Sequence, residues 1–136
     1  MTSRLRGVLI LALASMTSGC LITDPIIPIE TATNAAPEFL PGRPQPNPDS
    51  PLSYPVGSTQ LISFDASARD TETPVDQLVY LWTLDGTNVQ GPSPDAINYN
   101  TTPSAIGAGT HHLHVRITDT GTPQGILETE WTIVVQ

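Results

Sequence analysis

From Gly57 onward, apolar and polar residues alternate in steps of two, the period of a strand with one buried face. Between Gln60 and Ala66 the pattern sets Ile62, Phe64 and Ala66 against Ser63, Asp65 and Ser67. Leu78, Tyr80, Trp82 and Leu84 share a face in the next run. Further on, Leu113, Val115 and Ile117 alternate with His112, His114, Arg116 and Thr118. The last run sets Leu127, Trp131, Ile133 and Val135 against Glu128, Glu130 and Thr132. Turn signals separate the runs: Thr73-Pro74, Asp85-Gly86, Gly91-Pro92-Ser93-Pro94, Gly107-Ala108-Gly109 and Gly121-Thr122-Pro123. No window carries a helical period. The pattern predicts an all-β chain folded as a single antiparallel β-sandwich.

Upstream the pattern stops and proline takes over. Residues 21–55 hold Pro25, Pro28, Pro37, Pro41, Pro44, Pro46, Pro48, Pro51 and Pro55 of the chain's 14 prolines. Proline lacks a backbone donor and fixes φ, which rules out helix and central strand here. Leu21–Ala35 reads as a tether, at most about 45 Å long at the polyproline rise. Ala36–Leu40 reads as a first edge strand, and Pro41–Pro55 as an extended crossing before the body of the domain. The expected organisation is a leader over 1–19, a tether over 20–35 and a β-sandwich domain over 36–136.

The N-terminal segment changes the picture. Arg4 and Arg6 precede an apolar run from Val8 to Met16, followed by Thr17-Ser18-Gly19-Cys20. The run would cover about 14 Å as a helix, too short for a hydrocarbon core of about 30 Å, so it reads as a cleaved signal. The stretch ending at Cys20 resembles the lipobox of bacterial lipoproteins, with Thr17 where that motif usually has Leu. The resemblance implies acylation of Cys20 (palmitate among the chains), a membrane partner reached through the N-terminal lipid, and residence in the cell envelope. Leu21 is not the Asp that retains some such proteins at the inner membrane, so the implied address is the outer membrane, periplasmic or surface-facing.

Charge then excludes several partners. The chain has no lysine, and its 5 basic residues stand against 13 acidic ones. Arg4 and Arg6 belong to the leader; without it the formal charge is about −10, the wrong sign for nucleic acid or for adhesion to anionic lipid. Cys20 is the one cysteine, so an exported domain would rely on its core rather than on a disulfide.

Phe64-Asp65-Ala66-Ser67-Ala68-Arg69-Asp70, followed by Tyr80-Leu81-Trp82, resembles the second and third strands of the polycystic-kidney-disease (PKD) domain and related bacterial Ig-like domains. Gly109-Thr110-His111 leading to Thr118-Asp119 resembles the sixth strand of that family, with His111 where a tyrosine is usual. The family's Asp-Phe-Gly-Asp-Gly after the tryptophan is here Thr83-Leu84-Asp85-Gly86. The resemblance implies an Ig-like sandwich over about residues 34–136. Asp70-Thr71-Glu72 and Asp119-Thr120-Gly121-Thr122-Pro123 also resemble the calcium-contacting loops of cadherin repeats. That second likeness implies Asp70, Glu72, Asp76 and Asp119 as part of a calcium donor set, with calcium the one cofactor suggested. Read by themselves, these carboxylates are turn residues accepting hydrogen bonds from loop backbone.

Other chemistry is thin. His112 and His114 project to one outer strand face, but two ligands do not make a metal site, and His111 faces the other way. Tyr80, Trp82 and Trp131 alternate with Leu and Ile in a way that places them in the core rather than on a sugar-stacking platform. There is no Gly-x-Ser-x-Gly elbow, no free thiol nucleophile and no carboxylate pair set across a cleft, so no enzyme is expected. The expected function is a membrane-anchored, non-catalytic Ig-like module for binding or spacing at the envelope. Its partner would be a protein, docking at an exposed sheet edge. The alternative is a calcium-stabilised adhesion or carbohydrate-binding module.

Overall fold

A computed structural model describes residues 33–136. Cys20 and the leader lie outside the described residues. Among the described residues nine strands form in chain order: β1 (Glu38–Phe39), β2 (Leu52–Tyr54), β3 (Ile62–Asp65), β4 (Ala68–Arg69), β5 (Val79–Leu84), β6 (Thr87–Ser93), β7 (Asn98–Thr101), β8 (Gly109–Thr118) and β9 (Ile126–Val135). One short helix, α1 (Pro103–Ile106), joins β7 to β8. The fold is an all-β sandwich. Its larger sheet has the order β2-β9-β8-β5-β6, and the opposing layer is built from the pairs β3-β7 and β1-β4.

The alternating positions fill the interior. Ile62, Phe64, Leu78, Tyr80, Trp82, Leu113, Val115, Ile117, Trp131 and Ile133 are each at most 4% exposed. Four aromatic rings lock the two layers together. Trp82 stacks on Trp131 with centroids 5.6 Å apart, and Phe64 meets Trp131 edge-on at 5.2 Å. Tyr99 stacks on Trp82 at 5.8 Å. Buried indoles need acceptors. Trp82 Nε1 donates to the Ala96 carbonyl and Trp131 Nε1 to the Pro46 carbonyl, each at 2.6 Å.

Four elements depart from the sequence pattern. The Pro41–Pro55 crossing contains β2, which pairs with β9 in parallel, Leu52 against Ile133 and Tyr54 against Val135. Pro51 and Pro55 bracket it, and an edge strand tolerates such neighbours because half its donors need no ladder partner. β6 and β7 also form where the sequence shows turn residues and asparagines rather than alternating apolar positions. Their partners supply the register: β6 hangs on β5 through an irregular ladder, and β7 pairs residue by residue with β3. The expected edge strand at Ala36–Leu40 condenses to Glu38–Phe39, paired with β4.

Candidate functional site

Asp119 closes β8 and organises the loop that leads to β9. It is 1% exposed, yet its carboxylate is fully engaged. Oδ1 accepts from the Gly121 and Gly125 N–H groups at 3.0 and 2.9 Å, and Oδ2 accepts from Asn34 Nδ2 at 2.6 Å. The same Asn34 nitrogen donates to the Pro123 carbonyl at 3.0 Å. Burial pushes this carboxyl up, but the bonds from Asn34, Gly125 and Gly121 outweigh it and hold it below the usual value. Only glycine fits at 125: a Cβ there would run into the Asp119 carboxylate and lie 2.7 Å from the Ala35–Ala36 backbone at Ala36 Cα. Asn34, which the sequence reading assigns to the tether, is therefore seated on the sandwich.

Asp70 belongs to a second loop. Its Oδ1 accepts from the Glu72 and Thr73 N–H groups at 2.8 and 2.7 Å, the turn role expected of a loop aspartate. Its Oδ2 is buried and has no hydrogen-bond partner. Glu72 Oε2 takes a bond from the Thr71 hydroxyl at 2.6 Å, and Asp76 stands exposed in the short 3₁₀ turn Val75–Gln77. The four residues implied for calcium do not gather as one set. Among the described residues, no three His, Cys, Asp or Glu side chains gather as a metal ion requires. Ca²⁺ takes six to eight oxygens, and those of Asp119 are already occupied by N–H donors. This donor set does not fit the ion.

The outer face of β8 and β9 carries a polar row. His112 Nδ1 lies 3.1 Å from Glu130 Oε1, His114 Nε2 lies 3.9 Å from Glu128 Oε2, and Arg116 Nε lies 3.5 Å from Glu128 Oε1. The register explains the row, since His114 sits opposite Glu130 and Arg116 opposite Glu128. These side chains are a third to a half exposed, so the pairs contribute little to stability. Their planar donors and acceptors stay available to a polar ligand. Tyr80, Trp82 and Trp131, by contrast, are fully buried and form no platform.

At the opposite end of β8, His111 is enclosed with 14% of its side chain exposed. Its Nδ1 lies 2.8 Å from Asp85 Oδ2 and its Nε2 lies 3.2 Å from the Gly107 carbonyl. Asp85 Oδ1 accepts from the His112 N–H at 2.8 Å. These bonds from His111 and His112 hold the Asp85 carboxyl below its usual value. The sequence marked Asp85-Gly86 as a turn and His111 as a departure from tyrosine. It gave no sign that the two meet, because they are 26 positions apart.

Neither a protein-family model nor a curated protein sequence matches this chain. Solved structures that resemble it include the following two. One is a nucleoside hydrolase-related protein from Saccharophagus degradans that is associated with carbohydrate metabolism, at TM-score 0.54 and 24% identity. The other is SGBP-B of the Bacteroides ovatus mixed-linkage glucan utilization locus, in complex with a mixed-linkage heptasaccharide, at TM-score 0.51 and 19% identity. The alignments cover 77% and 76% of this chain but only 26% and 25% of those chains, so it spans about a quarter of their length. At such identities the likeness establishes the fold: this β-sandwich recurs as one part of two larger proteins connected with carbohydrate.

Proposed function

We propose that the chain is a non-catalytic carbohydrate-binding module, displayed at the cell envelope from a lipid-anchored Cys20. The observation that carries this reading is the shared fold with a quarter of each of two carbohydrate-associated chains, one of them solved with a heptasaccharide. The polar row of His112, His114, Arg116, Glu128 and Glu130 supports it, because such side chains hydrogen-bond sugar hydroxyls. The state of Asp65, Asp85 and Asp119 supports a non-catalytic role. Each is engaged by donors that hold loops and strands together, rather than poised over open space.

Affinity electrophoresis through gels containing mixed-linkage β-glucan, cellulose, xylan or chitosan tests the ligand class. Retardation by at least one polysaccharide is expected, weakened at least fivefold in the double variant Arg116→Ala/Glu130→Ala. No retardation in any gel would sink the carbohydrate reading, and release of reducing ends would sink the non-catalytic one. The anchor is tested separately by fractionating cells that express Cys20→Ala. The variant is expected in the soluble fraction, and an unchanged membrane pellet would overturn lipidation.

A further inference from the structure

Both ring nitrogens of His111 face acceptors. Nδ1 meets a carboxylate oxygen of Asp85, and Nε2 meets the carbonyl oxygen of Gly107. A neutral imidazole has one N–H and one lone pair, so it can donate to only one of these oxygens; the imidazolium donates to both. We propose that His111 is a proton-operated latch, which ties the β5–β6 turn to the α1–β8 loop when both ring nitrogens carry protons and releases the Gly107 carbonyl when one is lost.

The structure indicates which bond yields. The contact with Asp85 is shorter and made to a charged acceptor, the stronger kind of hydrogen bond. The remaining N–H of a neutral ring therefore stays on Nδ1, and the Nε2 lone pair is left against the Gly107 oxygen. On the hairpin side the anchor is rigid. Asp85 and Gly86 have φ of 50° and 80°, the paired positive values of a tight hairpin turn, and the Asp85 N–H donates to the His112 carbonyl at 2.9 Å. On the loop side the hold is slighter. Gly107 ends α1, with its N–H on the Pro103 carbonyl at 3.0 Å, and Ser104 N–H reaches the Ser58 carbonyl at 2.9 Å. The moving part is accordingly the link at Gly107 and Ala108, because Gly109 and Thr110 already lie on the β8–β9 ladder.

Asp85 is the charged group that the neighbouring hairpin brings to the ring. On β9 the register partner of His111 is Ile133, which carries no charge. His112 and Glu130 pair with each other on the other face of the sheet. Asp85 therefore controls the latch, and the outer histidines do not.

Nuclear magnetic resonance on the chain with ring-¹⁵N histidine tests this across the range in which histidines change charge, about pH 5 to 8. At the acid end both His111 nitrogens are expected to be protonated, and at the alkaline end Nδ1 alone. Amide exchange at Gly107 and Ala108, corrected for the intrinsic rate, is expected to rise about tenfold over the same range. In His111→Tyr, whose hydroxyl donates once whatever the pH, that rise is expected to vanish. Should this variant not fold, Asp85→Asn serves instead and is expected to shrink the rise, because without the charged acceptor at Nδ1 a neutral ring can keep its N–H on Nε2 and hold the Gly107 carbonyl. A singly protonated His111 at pH 5, or exchange that does not respond to pH in the wild type, would overturn the latch.

Discussion

Replacing Trp131 by alanine is expected to lower the unfolding free energy by about 3–5 kcal/mol, the usual cost of emptying a large aromatic site in a core. Trp131 is 0% exposed and touches both layers, stacking on Trp82 and receiving the edge of Phe64. Its indole N–H also holds the Pro46 carbonyl, so truncation leaves a cavity and frees the crossing that carries β2. Domains of this size have only about 5–15 kcal/mol in total, and each kcal/mol moves the midpoint by about 4–8 °C. A fall in Tm of more than about 12 °C in a calorimetric scan is therefore expected. Trp131→Phe separates the two contributions, keeping an aromatic ring while leaving the Pro46 carbonyl without its donor. It is expected to cost less than the alanine variant but more than about 1 kcal/mol. A Tm within 4 °C of wild type for Trp131→Ala would show that this ring does not join the layers.

The second large effect is at Asp119. Removing its carboxylate in Asp119→Ala leaves the Gly121 and Gly125 N–H groups without their acceptor and takes one of the two acceptors of Asn34 Nδ2, in a half-buried loop. A loss of about 1–3 kcal/mol is expected, the cost of a buried donor left unpaired, since water reaches part of this loop and offsets some of the rest. The pH dependence distinguishes a charge effect from a packing effect. The folded carboxyl lies below the unfolded value of about 3.9, so its stabilisation is complete above that value. It is lost as pH falls through the lower folded value. Denaturant melts between pH 7 and pH 2 should therefore show a shallower acid limb in Asp119→Ala than in wild type. The limb should not vanish, because Asp65 and Asp85 are also held below their usual values. Parallel acid limbs in the two proteins would show that the Asp119 charge does not contribute.

How far the sandwich can be read from the chain differs between elements, for physical reasons. β3, β5, β8 and β9 each bury one face, and burial forces apolar residues onto every second position, so the alternation is written in the sequence. Phe64, Trp82, Val115 and Ile133 follow it and are fully buried. β6 buries little of its own surface and is held by a main-chain ladder, while β2 and β7 are only three and four residues long, too short for Leu52 and Tyr54 or Tyr99 and Thr101 to stand out as an alternating run. Thr87-Asn88-Val89-Gln90 is a strand because β5 lies beside it, and nothing in those four residues requires it. The loop carboxylates show a related limit. A local reading marks Asp70 and Asp119 as turn residues, and they are. It does not find that Asn34, 85 positions upstream, supplies a donor to Asp119.

What the sequence alone determined is the β class, the core faces, the turn at Asp85-Gly86 and an acidic balance of charge. These follow from short-range rules: a period of two, the φ demands of turns, and net charge. Only the tertiary structure decided that β2 runs parallel to β9, that Asn34 belongs to the sandwich, and that no three of the proposed calcium carboxylates gather. It also brought His111 between Asp85 and Gly107, with an acceptor at each ring nitrogen. Such pairings depend on which strands become neighbours, and that is set by the packing of the whole core rather than by any local run of residues.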